Sequence, residues 1–238
     1  MQKKVAIIGC DLLTRSQAPW DDSTWSIWGM NGSHVCADLY HNHTGVFHAD
    51  AWFQIHPPQT WSASETDWFD QLNAGEVRVA TYIQEQDFQF VQATWPEAAK
   101  ACLPFPLQRI LTAYPQGLFF STFCWEIAFA LVEGFTDIAL FGADSRGLGR
   151  EIVVERPALL YWLGVAHTQG VRMTFPGSTL PTLSRYHQYG FDYLEEAAYA
   201  ATLTECVVPQ RWLREAQTPD DNLDTVASVD KAAPLLKK

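Results

Sequence analysis

One stretch near the middle of the chain limits the fold most. Phe123 to Glu133 is almost wholly apolar and long enough for three helical turns. Ser121 and Thr122 supply hydroxyls at its entry, and Gly134 stands where a helix stops on a left-handed residue. Thr136-Asp137-Ile138-Ala139-Leu140-Phe141-Gly142 then forms a continuous apolar run, which suits a strand covered on both faces. Helix, glycine and buried strand in this order are half of a βαβ unit.

The rest of the chain repeats that alternation. Val5-Ala6-Ile7-Ile8-Gly9 reads as a buried parallel strand, Trp25 to Asn31 as a second, and Val46 to Ile55 as a third, stopped by His56-Pro57-Pro58. Val77 to Tyr82 and Val171 to Phe175 read as further strands. Ser62 to Leu72 reads as a helix capped by Ser62 or Ser64, and Arg156 to Gln169 as one ending at Gly170. Residues 11 to 23 read as a polar, turn-rich loop. Residues 84 to 116, broken by prolines, read as loops with a short helix, suited to a lid. The expected class is α/β: a Rossmann-like, mainly parallel sheet with helices on both faces. One domain is expected over 1–216, ending in a helical segment at 191–216, with a disordered tail at 217–238.

Charge narrows the partners. The 238 residues carry a net charge of −11, and the basic pairs Lys3-Lys4 and Lys237-Lys238 are no substitute for a basic face. Nonspecific duplex binding works through counterion release at such a face and is disfavoured. The five cysteines are scattered, without a Cys-x-x-Cys pair, which suits a reducing, cytoplasmic setting. The N-terminal apolar run is too short for a signal peptide or membrane span. Exposed tryptophans among the ten would suit a homo-oligomer.

Ligands of open α/β sheets bind outside the carboxyl ends of the strands. That rule selects the loop from Gly9 to Ser16, Asn31, His56, the Ser121-Thr122 helix entry, Gly142 and Asp144. The first loop is not Gly-x-Gly-x-x-Gly, so the standard dinucleotide fingerprint is absent. Thr14 and Arg15 offer a hydroxyl and a guanidinium to a phosphate; the alternative is a polar loop with a surface arginine. Asn31 can read a base or a ribose, or merely turn the chain at Asn31-Gly32. Ser121 and Thr122 can cap the helix or share its free amides with a phosphate. Gly142 lets a ligand approach the backbone, and Asp144 can bind a ribose diol, orient a base or hold a metal, against a simple Asx turn or cap. His56 is a candidate acid or base, since an imidazole exchanges protons near neutrality. Glu155 follows a Gly-rich loop and is a further catalytic candidate, or only the acidic start of a helix. His41, His43, His48 and Asp50 match no strong metal template, so no metal is expected.

Phe120 to Asp144, with its hydroxyl pair, apolar helix, Gly-aromatic step, apolar strand and Gly-x-Asp, resembles the core of glycosyltransferase family 42, the CMP-sialic-acid-dependent sialyltransferases, and relatives among flagellin-modification proteins. Thr14-Arg15, Trp25-x-Ile27-Trp28-Gly29-Met30-Asn31, Trp52-Phe53-x-Ile55-His56 and Tyr161-Trp162-Leu163-Gly164 resemble a Rossmann-like family of tailed bacteriophages that has no assigned activity. The first resemblance implies that Gly9, Asn31, Ser121, Thr122, Gly142 and Asp144 contact a nucleotide. It departs at one point: those enzymes carry a catalytic histidine in the lid after Gly-x-Asp, and Ser145 to Ala166 contains none. His56, Asp144 or Glu155 would have to serve instead.

The expected function is that of a glycosyltransferase-like enzyme with a nucleotide-sugar as co-substrate and no further cofactor. In a phage-infected host, its acceptor could be a hydroxymethylated pyrimidine in DNA. The alternatives are a nucleotide-sequestering counter-defence protein, and a nucleoside hydrolase or deoxyribosyltransferase-like enzyme with an essential Asp144 or Glu155.

Overall fold

The computed structural model describes residues 2–35, 48–143 and 154–176. All fall within one compact unit, residues 1–183. The boundaries expected at 191–216 and 217–238, and the candidate Asp144, lie outside the described residues.

Seven parallel strands form one sheet: β1 (Lys4–Ile8), β2 (Trp25–Met30), β3 (Ala51–Gln54), β4 (Ala80–Ile83), β5 (Cys102–Pro104), β6 (Asp137–Phe141) and β7 (Arg172–Thr174). Their order is β5-β4-β3-β2-β1-β6-β7. The chain therefore winds outward from β1 to β5, returns, and continues from β6 on the other side. All described pairings are parallel, so every carboxyl end lies on one edge.

Helices cover both faces, as the strand composition requires. The helices are α1 (Leu12–Arg15), α2 (Ala63–Ala74), α3 (Phe88–Thr94), α4 (Leu107–Ala113), α5 (Thr122–Val132) and α6 (Arg156–Thr168). Successive strand residues point to opposite faces. Val5, Ile7, Trp28, Met30 and Phe53 pack with α4, α5 and α6 in one core. Their neighbours Trp52 and Ile83 pack with α2 and α3 in another, and Ala6, Ile8 and Ile27 meet Ala18 in a third. In the second core Trp52 stacks on Trp68 at 4.0 Å, and in the first Trp28 stacks on Phe129 at 5.4 Å. Each fully buried aromatic of this kind stabilises the fold by about 1.5–3 kcal/mol through area burial.

Three local readings are corrected. Residues 11 to 23 are not simply a loop: α1 is there, and Thr14 and Arg15 are fully buried. The stretch from 84 to 116 contains β5 and two helices packed into the sheet layers. Strand four begins at Ala80 rather than Val77.

Candidate functional site

Reversal of strand order occurs between β1 and β6, which places a crevice outside their carboxyl ends. Two buried glycines stand at this point. The Gly9 amide donates to Phe141 O at 2.9 Å and the Asp11 amide to Gly142 O at 3.2 Å, so the loops after β1 and β6 are stitched together. A Cβ on Gly9 would lie 2.4 Å from the Phe123 ring and 2.5 Å from Gly142 O. Gly142 has φ +65°, and its Cβ would lie 2.8 Å from Gly9 O. No other residue fits either place without backbone movement.

Behind the loops, α1 supplies the support. Thr14 Oγ1 accepts from the Gly142 amide at 2.8 Å, and Arg15 donates to Ser33 O at 3.1 Å. Both side chains are fully buried. The structure thus puts the two residues beneath the crevice, joining the loops after β1, β2 and β6.

Asn31 closes the carboxyl end of β2. It has φ +49°, which a non-glycine residue adopts at a cost. Its Nδ2 donates to Thr122 Oγ1 at 3.4 Å, which fixes the end of β2 against the start of α5. Its Oδ1 is buried and has no hydrogen-bond partner among the described residues. A buried acceptor left in that state costs stability until a donor reaches it.

The start of α5 has no side-chain cap. Ser121 is extended at the N-cap and makes no side-chain capping bond; its hydroxyl lies 3.2 Å from the Cys124 thiol instead. Its carbonyl accepts from the Cys124 amide at 3.1 Å. First-turn amides in this arrangement suit a phosphate. Burial pushes the Cys124 thiol up in pKa, the Ser121 hydroxyl and backbone amides pull it back, and the charge of Glu155 pushes it up again. Glu155, half-buried just before α6, is therefore within electrostatic reach of this helix entry.

One turn after Thr122 lies a residue that the sequence reading passed over. Glu126 is fully buried, and neither carboxyl oxygen has a hydrogen-bond partner among the described residues. Burial alone raises its pKa well above the ordinary value. Burial without a partner favours the protonated form, which can donate as well as accept.

His56 stands two strands from β1, just after β3, with its side chain 48% exposed. Its Nδ1 is 3.3 Å from Glu65 Oε1. Gln54 Nε2 donates to the same oxygen at 2.9 Å, while the Ser62 amide donates to Glu65 Oε2 at 2.7 Å. Burial pushes the Glu65 carboxyl up, but the Ser62 amide, Gln54 and the Ser62 hydroxyl together hold it below its ordinary value. An ionised Glu65 can only accept, so His56 Nδ1 must carry the proton. This contact leaves Nε2 directed away from Glu65. The Ser62-x-x-Glu65 spacing is a capping-box pattern at the entry to α2, and was the available signal for Glu65.

Among the described residues no group of three or more His, Cys, Asp or Glu is gathered for a metal, and His41 and His43 lie outside them. No described helix is long and apolar enough to cross a membrane. Of the expected nucleotide contacts, Gly9 and Gly142 meet where the loops after β1 and β6 join and Asn31 bonds Thr122 at the start of α5, while Thr14 and Arg15 are buried and His56 stands apart on the same sheet edge.

No family model and no curated protein matches the chain. Among solved structures, the sialyltransferase CstII from Campylobacter jejuni in complex with the substrate analogue CMP-3FNeuAc is similar over 74% of this chain and 80% of that one, at 12% identity and a TM-score of 0.48. The same sialyltransferase with a trisaccharide acceptor and CMP is similar over 73% and 80%, at 12% identity and a TM-score of 0.44. The strand order and the joined loops define a doubly wound, all-parallel α/β protein whose order reverses between β1 and β6.

Proposed function

We propose that the chain is a glycosyltransferase-like enzyme that takes a nucleotide-sugar donor in the crevice between β1 and β6. The observation that carries the reading is Asn31: a strained residue with a buried, unanswered acceptor beside an uncapped helix entry. Such a group is retained when a ligand completes it. The donor's phosphates would meet the first-turn amides of α5 with Ser121 and Thr122, while Thr14 and Arg15 hold the loops that accept them. The nucleoside would be read by Asn31 and Asp144.

The chemistry follows from the dyad at β3. His56 Nε2 removes the proton from an acceptor hydroxyl. The acceptor oxygen attacks the anomeric carbon, and the bond from that carbon to the donor phosphate breaks. The electron pair leaves on the phosphate oxygen, where amides and the helix dipole stabilise it. Glu65 orients the imidazole and stabilises its protonated form. Asp144 and Glu155 are the alternative bases. The reading places the enzyme in the cytoplasm of a phage-infected host. A hydroxymethylated pyrimidine in DNA carries a suitable hydroxyl, though the chain's net charge of −11 opposes that acceptor. A nucleotide-sequestering protein is the second reading, favoured by the lack of histidine between Ser145 and Ala166.

The test is product formation from UDP- and CMP-sugars with mixed hydroxyl acceptors. A wild-type product whose rate drops about 10²- to 10⁴-fold in His56→Ala supports transfer with His56 as base. Bound nucleotide-sugar recovered unchanged would instead mark a sequestering protein.

A further inference from the structure

We propose that the cavity at the carboxyl ends of β3, β4 and β5 binds an uncharged saccharide, the acceptor for the transfer described above; the acceptor role rests on that reading. The cavity measures about 790 Å³, within the span of roughly 300–1,000 Å³ common to small-molecule sites. It opens on the same sheet edge as the crevice. Ile55, one of its lining residues, precedes His56 directly, so the cavity and His56 share the carboxyl end of β3.

Its lining has two chemistries. Phe105 and Trp125, from the end of β5 and the first turn of α5, pack edge to face at 5.7 Å and supply aromatic surface. Gln84, Gln86 and Gln108 bring three carboxamides. Gln84 is fixed, donating to Ile55 O at 2.6 Å and accepting from Gln86 at 3.1 Å. A sugar ring matches both. Its C–H faces are slightly positive and suit the electron-rich aromatic faces, and its hydroxyls donate and accept as carboxamides do.

Charge argues against anionic ligands. The cavity's cation, Arg109, donates to Glu133 and to Val132 O, and its other charged residue is the acid Glu85. A nucleic-acid backbone or a uronic acid finds no uncommitted positive partner among these residues, whereas a neutral polyol needs none.

Saturation-transfer NMR and calorimetry with D-glucose, D-galactose and N-acetyl-D-glucosamine, each with and without CMP or UDP, test the proposal. D-glucuronate, D-galacturonate and a duplex containing 5-hydroxymethylcytosine serve as charged comparisons. We expect saturation of at least one neutral sugar, weakened roughly 2- to 10-fold by Gln86→Ala and by Gln108→Ala. Both carboxamides are exposed, so these variants keep the test decisive should Trp125→Ala fail to fold. No saturation by any neutral sugar, equal binding of the uronates or the duplex, or binding indifferent to both variants would overturn the proposal. A thermal shift with CMP or UDP separates the two claims. A nucleotide shift without sugar binding overturns the saccharide site alone. Sugar binding without a nucleotide shift contradicts the donor reading and with it the acceptor role.

Discussion

Asn31, Thr122 and Glu126 put an unanswered acceptor, a hydroxyl and a buried carboxyl group at and beside the start of α5. Glu126 has a consequence for stability that does not depend on any ligand. Its folded-state pKa lies above its unfolded value, so the folded chain keeps a proton that the unfolded chain releases. The destabilisation begins as pH rises past the ordinary carboxylate value of 4.5 and grows until the folded-state pKa is reached. Glu126→Leu should therefore raise the unfolding midpoint more at pH 8 than at pH 5, as denaturant titrations at the two values would show. An equal gain at both would mean that Glu126 is ionised when folded. These residues were unevenly legible. Asn31 and His56 could be read because they follow strands directly. Glu126 could not, since one acid in an apolar helix looks like a solvated position until burial is known. The burial of Arg15 was not legible either: an arginine in a polar loop suggests a phosphate or a surface position, and here it is fully buried and donates to Ser33 O.

At the scale of elements, the short helix α1 matters beyond its four residues. Through Thr14 it answers the buried amide of Gly142, and so holds the loop after β6 in its left-handed turn. Thr14→Val keeps the side-chain shape and removes the acceptor. It should cost about 1–3 kcal/mol in equilibrium unfolding, the penalty of an unsatisfied buried donor. A change near zero would mean that the amide finds another partner. The strands and helices around this point differed in how plainly the sequence marked them. β1, β6 and α5 are long apolar runs with glycine at their ends, and were expected within one or two residues. β5 is three residues, Cys102-Leu103-Pro104, with a proline that no strand pattern announces. It forms because β4 offers a paired edge, a tertiary cause invisible in local sequence.

The whole molecule is organised by the order β5-β4-β3-β2-β1-β6-β7. Alternating strands and helices made a parallel sheet with two covered faces predictable, but not which strands flank the reversal of order. That neighbour relation turns the loops after β1 and β6 into one crevice and aligns it with His56 and the β3–β5 cavity on a single edge. A nucleotide between β1 and β6 is tested most directly by the thermal unfolding of the purified chain with CMP, CDP, UDP and their sugar conjugates, alone and in Asn31→Ala and Asp144→Ala. A nucleotide at 100 times its dissociation constant should add about 2.7 kcal/mol, and the gain should be lost in both variants. Absence of any shift, or a shift that both variants retain in full, would contradict a nucleotide in the crevice.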